Sequence, residues 1–263
     1  MSRLFQFARP MADQHFTLKK IRLLIFLTRR VPRFGWPQLL RGIRERKVSY
    51  LAMDLADMLP GSVATIVDVG AHSGLVADAL DFLFRPERLW AVEPNPAHSQ
   101  NLDARLGNRP HINIVKCCLG ETSGEVNFNV YDFDAASSLY SCLPGHLESL
   151  GLSEGHSPLK VKMTTLRELL PENLKTLDLL KLDCQGAELA VLKGAGPRIH
   201  QIRWVYCEVS IDPIYSGSPL FGELHAFLRS KGFELHRLGG FSGARHSIHW
   251  ADALYANAEV VVS

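Results

Sequence analysis

Long apolar runs are missing from the start of the chain: before residue 60 the longest is Leu23 to Leu27, far below the ~20 residues that cross a bilayer. No transmembrane helix is expected there. No small-residue cleavage site follows that run, so no secretory signal is expected and the expected location is the cytoplasm. Cysteine is sparse: Cys117, Cys118, Cys142, Cys184 and Cys207 are odd in number and contain no C-x-x-C pair. Neither a disulfide framework nor a zinc knuckle is suggested, and buried thiols in a reducing compartment are the expectation. Acidic residues are nearly absent from positions 1–50, where Asp13 and Glu45 stand against 12 Lys and Arg. This segment carries +10, and since the whole chain sums to +2, the rest carries −8. Such a split describes a basic arm on a mildly acidic body.

What is present describes a folded protein. At 46% hydrophobic and 21% charged residues, a disordered or collagen-like chain is excluded. A length of 263 residues suits one large domain, or one domain with an extension. The expected division is a basic helical extension over 1–60 and an α/β domain over 61–263. Within the extension, Phe16 to Arg30 mixes Leu, Ile and Phe with five Lys and Arg, and its apolar positions fall nearly all round a helix. Two uses suit it: a helical cap with a solvated basic face, or peripheral contact of residues 1–50 with an anionic membrane surface or a partner.

From residue 61 short apolar runs alternate with helical spacing. Val63–Val69, Arg88–Val92, His111–Leu119, Leu177–Leu182, Ile202–Val209, Phe233–Leu238 and the tail Ala253–Val262 read as strands. Helices are expected at Ser73–Phe84, Pro96–Leu106, Ala187–Lys193 and Leu220–Lys231. The alternation predicts βαβ units: a doubly wound, mostly parallel sheet with both faces covered. Gly124–Val130 and Leu159–Thr164 add two strands outside that rhythm. Between them, Tyr131 to Pro158 is rich in Ser, Gly, His and Asp, and a stretch of that length suits either a lid or binding loop or a plain insertion.

Chemistry concentrates at Asp68-Val-Gly70-Ala-His72-Ser-Gly74, where a strand gives way to a helix. Glycines there allow close backbone approach, and a helix N-terminus offers free N–H groups to an anion. Glu93 closes the next strand, where a carboxylate can accept both hydroxyls of a ribose. Together they predict a nucleoside-bearing cofactor. A dinucleotide site wants G-x-G-x-x-G; here His72 fills the second glycine position, which disfavours NAD. Asp68 ahead of the turn suits a ligand with a cationic end, as in the sulfonium and ammonium of S-adenosylmethionine.

These landmarks and their order resemble the FkbM-type S-adenosylmethionine-dependent methyltransferases over about residues 61–257. The motifs are VDVGAHSG (67–74), AVEPNP (91–96), Ser137-Ser138-Leu139, MTTL (163–166), KLDCQGAELAVLKGA (181–195), YCEVS (206–210) and WADALY (250–255). The resemblance implies a Rossmann-like class I methyltransferase fold, seven strands with the last antiparallel, and O-methylation of a saccharide, glycoconjugate or related hydroxylated metabolite. Two positions depart from the family: His72 stands where Asn is usual, and Gln185 where Glu is usual. The amide of Gln185 keeps hydrogen-bonding capacity and loses the base.

Expected roles follow. Asp68, Gly70, His72, Gly74, Glu93 and Gly120 form the cofactor set. Asp183, at the end of the fourth strand and at the switch point, is the first catalytic candidate, with Glu208 behind it, because a hydroxyl attacking a methyl group must lose its proton to a nearby base. Glu188 either caps its helix or pairs with Lys181. Ser137, Ser138 and His246 are expected at the substrate. His246 and His249 lack an acidic cluster beside them, so no metal site is expected, and no nucleic-acid partner is. An NAD(P) oxidoreductase is the alternative enzyme, and a non-catalytic cofactor-binding adaptor at a membrane surface the alternative use of the fold.

Overall fold

Five consecutive buried residues, Thr65–Val69 (β1), and six more, Leu177–Leu182 (β7), form the middle of the sheet. A strand buried on both faces carries apolar residues at nearly every position, and both runs do, except at Thr65, Asp68, Asp178 and Lys181. The computed structural model describes residues 50–131, 137–143, 145, 156–243 and 247–261. The chain divides into two units, Met1–Gly61 and Ser62–Ser263. Of the first, helix α1 (Tyr50–Met58) is described; the basic arm and its expected membrane or partner contact lie outside the described residues.

In the second unit, β1 leads into α2 (Leu75–Phe84), β2 (Arg88–Val92), α3 (Pro96–Leu106) and β3 (Ile112–Val115). Gly74, at φ 78°, opens α2. The Asn95 side chain caps α3 by accepting the Ala97 N–H, with Pro96 in the first turn, where its missing N–H costs nothing. After β7 come α5 (Glu188–Gly194), β8 (Ile202–Ser210), α6 (Phe221–Ser230), β9 (Phe233–Ser242) and β10 (Trp250–Asn257), with the short helices α4 (Leu166–Leu169) before β7 and α7 (Ala258–Val261) at the end. The sheet order is β3-β2-β1-β7-β8-β10-β9, parallel except for β10, which runs antiparallel to both neighbours. The order reverses between β1 and β7, and such a switch point opens a crevice at the strand carboxyl ends.

Three expectations shift. The run His111–Leu119 is two strands: β3 ends at Val115, and Cys118–Leu119 (β4) pairs in parallel with Met163–Thr164 in a separate sheet, β4-β6-β5, with β5 (Gly124–Tyr131) and β6 (His156–Thr164) antiparallel. Cys117, just ahead of β4, and Cys118, within it, are both buried. The last strand begins at Trp250 and gives way to α7 at Ala258, because Asn257 turns its amide onto the Ile202 carbonyl and accepts the Glu259 N–H, an N-cap signature.

The sheet is fastened by a charge pair inside it. Asp68 on β1 and Lys181 on β7 are direct cross-strand partners, both essentially without solvent exposure, with Nζ 2.9 Å from Oδ1. Apart from Lys181, neither Asp68 oxygen has a hydrogen-bond partner among the described residues, so the ammonium is its compensation. Removing one member of a buried pair strands the other charge, at about 3–5 kcal/mol. Lys181→Met is expected to lose stability of that order in urea denaturation, and adding Asp68→Asn to it to recover most of the loss. Equal stability of Lys181→Met and wild type would show that the pair does not hold the sheet.

Candidate active site

A cavity of about 490 Å³ opens where β1, β2, β7 and β8 end, in the range of small-molecule sites. Its floor is the turn after β1. Gly70 (φ 75°) has no room for a side chain, since a Cβ would overlap the Asp183 carbonyl. Its N–H and that of Ala71 both donate to the Val92 carbonyl at 3.0 Å, which ties the turn to β2. Lys181 Nζ reaches the Gly70 carbonyl at 3.2 Å and the Asp183 carboxylate at 3.6 Å. Burial works against the ammonium, yet Asp68 and Asp183 outweigh it and hold its pKa above the ordinary value.

On one side of the floor stands Glu93. Its Oε2 accepts the His72 N–H at 2.9 Å and its Oε1 the Asn95 N–H at 2.8 Å. Each carboxylate oxygen retains a further acceptor site. Burial raises the Glu93 pKa, more than the two N–H groups lower it. His72 takes φ 50°, so the residue in the usual Asn position bonds across the turn through its backbone, while its ring lies 3.8 Å from that of His98, centre to centre. Both histidines border the cavity.

On the other side, Asp183, Gln185 and Glu208 converge. Gln185 Nε2 donates to Asp183 Oδ1 at 2.9 Å and lies 3.4 Å from Glu208 Oε1. Tyr215 O–H donates to Gln185 Oε1 at 2.8 Å. Burial first, and then the negative charges of Asp183, Glu188 and Asp252, push Glu208 up to about 9, so at neutral pH it is a carboxylic acid. Glu188 is raised to about 7, chiefly by burial. Its Oε1 accepts the Cys184 N–H at 2.9 Å, so it caps the turn ahead of α5, and Lys181 is taken by Asp68.

Of the residues expected at the site, Gly70, His72, Glu93, Ser137, Asp183 and Glu208 border the cavity. Asp68 does not: it is sealed beneath the floor with Lys181 and cannot meet a ligand's cation. Gly74 is a packing glycine, whose Cβ would press on Leu102 and Arg105 of α3. Gly120 is another, wedged against Met163 and crossed by Gly194. Ser138 is buried within the protein, where its hydroxyl donates to the Gln185 carbonyl at 2.5 Å. His246 lies outside the described residues. Sequence reasoning missed His98, Phe128 and Tyr215, which also border the cavity. For Tyr215 a signal existed: Asp212–Pro219 is a Pro-, Gly- and Ser-rich loop directly after a strand, at the edge where ligands bind.

Seven strands in this order, a glycine turn at the switch point and a carboxylate closing the second strand define a class I, Rossmann-like methyltransferase, with S-adenosylmethionine as its cofactor. The Methyltransferase FkbM domain matches residues 68–235, and the chain belongs to that family. The NAD(P) oxidoreductase reading falls with this result, as does the non-catalytic one. The chain is 26% identical over 206 residues to 2-O-methyltransferase NoeI of Sinorhizobium fredii, covering 74% of this chain and 82% of that protein. It is 25% identical over 182 residues to Methyltransferase 1 of Beauveria bassiana, covering 64% and 71%. Among solved structures, Aeropyrum pernix fibrillarin with natively bound S-adenosyl-L-methionine superposes with a TM-score of 0.44 at 17% identity, over 78% of this chain and 73% of that one. No helix among the described residues is long and apolar enough to cross a membrane.

The raised Glu208 carboxyl gives stability a pH dependence. Between its ordinary value of 4.5 and about 9, the native protein holds a proton that the unfolded chain has released. Stability therefore falls as pH rises through that window and levels off above it. Thermal melts at about pH 6 and about pH 8.5 are expected to show this fall, and Glu208→Gln to flatten it. Parallel curves for the two proteins would contradict the assignment.

Proposed function

We propose that this enzyme transfers a methyl group to a hydroxyl of a saccharide, a glycoconjugate or a related metabolite. The observation that carries the reading is the shared cavity. Glu93 stands on one side of the Gly70 turn, and Asp183, with a side chain 40% exposed, stands on the other beside a protonated Glu208. NoeI, matched over most of both chains, bears the name 2-O-methyltransferase, which agrees with an oxygen acceptor.

The residues suit S-adenosylmethionine. Glu93 can accept both ribose hydroxyls on the lone pairs that its backbone N–H partners leave free, and the Gly70 turn, whose missing side chain lets the Asp183 carbonyl close in, forms the floor beneath the ligand. When bound, the cofactor supplies an electrophilic methyl group on a sulfonium. Asp183 takes the proton of the acceptor hydroxyl as the oxygen acquires the methyl group, which balances the charge lost from the sulfonium. A positioned base contributes roughly 10²–10⁴-fold. Glu208, protonated at neutral pH, offers an O–H to orient the acceptor rather than a second base. Phe128, Tyr215 and Trp250 in the cavity wall give apolar faces on which a sugar ring can rest, and Ser137 a hydroxyl beside them.

Two measurements test this. Glu93→Ala removes charge-assisted hydrogen bonds worth about 3 kcal/mol, so calorimetry is expected to show S-adenosylmethionine binding about 100-fold more weakly; unchanged affinity would refute the ribose assignment. Asp183→Asn is expected to bind the cofactor as wild type does, yet release S-adenosylhomocysteine at least ~100-fold more slowly with a responsive glycan. If wild type turns over no member of a broad glycan panel, the saccharide reading fails.

A further inference from the structure

Gln185 is the side chain that the proposed chemistry leaves without a task, and it is held from three directions. Its backbone sits at φ 55°, a left-handed conformation that costs a non-glycine residue about 1 kcal/mol or more and persists only where the surroundings impose it. The Ser138 hydroxyl holds its carbonyl at 2.5 Å, Tyr215 O–H holds its amide oxygen at 2.8 Å, and its Nε2 lies on Asp183 at 2.9 Å. Tyr215 is itself buried and packed: a Cβ on Gly186 would lie 3.4 Å from its ring.

Only one amide orientation satisfies these partners. An ionised carboxylate accepts and cannot donate, whereas a tyrosine hydroxyl can do either. Turned over, the amide would set its oxygen against the Asp183 carboxylate. The tyrosine therefore takes the oxygen, and both amide hydrogens are left for the carboxyl side, one for Asp183 and the other toward Glu208 at 3.4 Å.

We propose that Gln185 is a positioning residue, an amide clamp locked by Tyr215 that fixes the Asp183 carboxylate against Glu208 and aims it at the acceptor oxygen. This deepens the reading of Asp183 as the proton acceptor and rests on it. A carboxylate at position 185 would set a second acceptor against the Asp183 carboxylate and offer it no hydrogen. An amide of the same shape donates to it.

The test uses the full chain and reads the site with and without an acceptor. Gln185→Asn keeps an amide and a residue type that tolerates the left-handed backbone, but is one methylene too short to span the gap. S-adenosylmethionine affinity, measured by calorimetry, is expected to stay within about twofold of wild type, which confirms the fold and an intact cofactor half. Carboxyl-carbon NMR, with the Glu208 resonance assigned by its loss in Glu208→Gln, is expected to place its midpoint at about 9 in wild type. In Gln185→Asn that midpoint rises, because a donor that favours the ionised form is gone. With a responsive glycan, kcat is expected to fall about 100-fold while the KM for the cofactor holds. Tyr215→Phe is expected to move both readouts the same way by less. In Gln185→Glu turnover is expected only at the acid end of the pH profile, where the introduced carboxyl still carries a proton to donate, and to vanish as pH rises. An unchanged Glu208 midpoint in Gln185→Asn with cofactor affinity intact would overturn the clamp. Loss of cofactor binding in wild type, or failure of every glycan with the midpoint shift still seen, would instead strike the functional reading beneath it.

Discussion

One buried lysine organises this active site. Lys181 reaches from β7 to Asp68 on β1, to the Gly70 carbonyl at the turn and to the Asp183 carboxylate above it. An ammonium in a dry sheet is tolerable only with its counter-charge and acceptors in place, so these contacts are mutually required. The switch point of a doubly wound sheet supplies the crevice, and Lys181 sets its floor. Because β1 and β7 are joined in register at Asp68 and Lys181, the two strand ends that carry the glycine turn and Asp183 cannot slide past each other. The Asp183 N–H, bonded to the Val69 carbonyl at 3.1 Å, closes the same junction.

The middle of the sheet was readable from the sequence because its physics is local. Arg88–Val92, Pro96–Leu106 and Leu177–Leu182 match the observed elements at both ends, since continuous apolar runs and a Pro after Asn leave few other structures open. The cavity side of the site was readable where the backbone itself forms it. Gly70 at a strand-to-helix turn and Glu93 at the next strand end need only strand adjacency to meet. The misreadings share one cause, that a residue type says what a position can do and not what stands across from it. Asp68 looked like a ligand for a cation, and the cation is a side chain, visible only once register pairs β1 with β7. Gly74 and Gly120 looked like ligand-approach glycines, and the close approaches are made by Leu102 and Met163. Ser138 was expected at the substrate, yet it bridges back onto β5, where Ser138 and Asn129 exchange backbone hydrogen bonds. The break after Val115 was invisible for a related reason: Cys118 and Leu119 are as strand-like as their predecessors, and only the presence of β6 beside them draws them into a second sheet.

The charges around the acceptor half explain why an amide suits position 185. Asp183, Glu188 and Asp252 push Glu208 up and Asp183 pushes Glu188 up, while Lys181, already bound to Asp68, pulls Glu208 down. Carboxyl groups crowded in this way cannot all ionise. Burial marks the difference between two of them: it raises Glu208 above the ordinary carboxyl range, while Asp183 keeps 40% of its side chain open. On the proposal that Asp183 accepts the proton, two like groups take opposite duties from their environments. A further carboxylate between them would reopen the contest for protons at neutral pH, whereas a neutral donor of the same size lets the division stand. On the proposed chemistry, an amide at position 185 suits a site in which Glu208 keeps its proton above the ordinary carboxyl range.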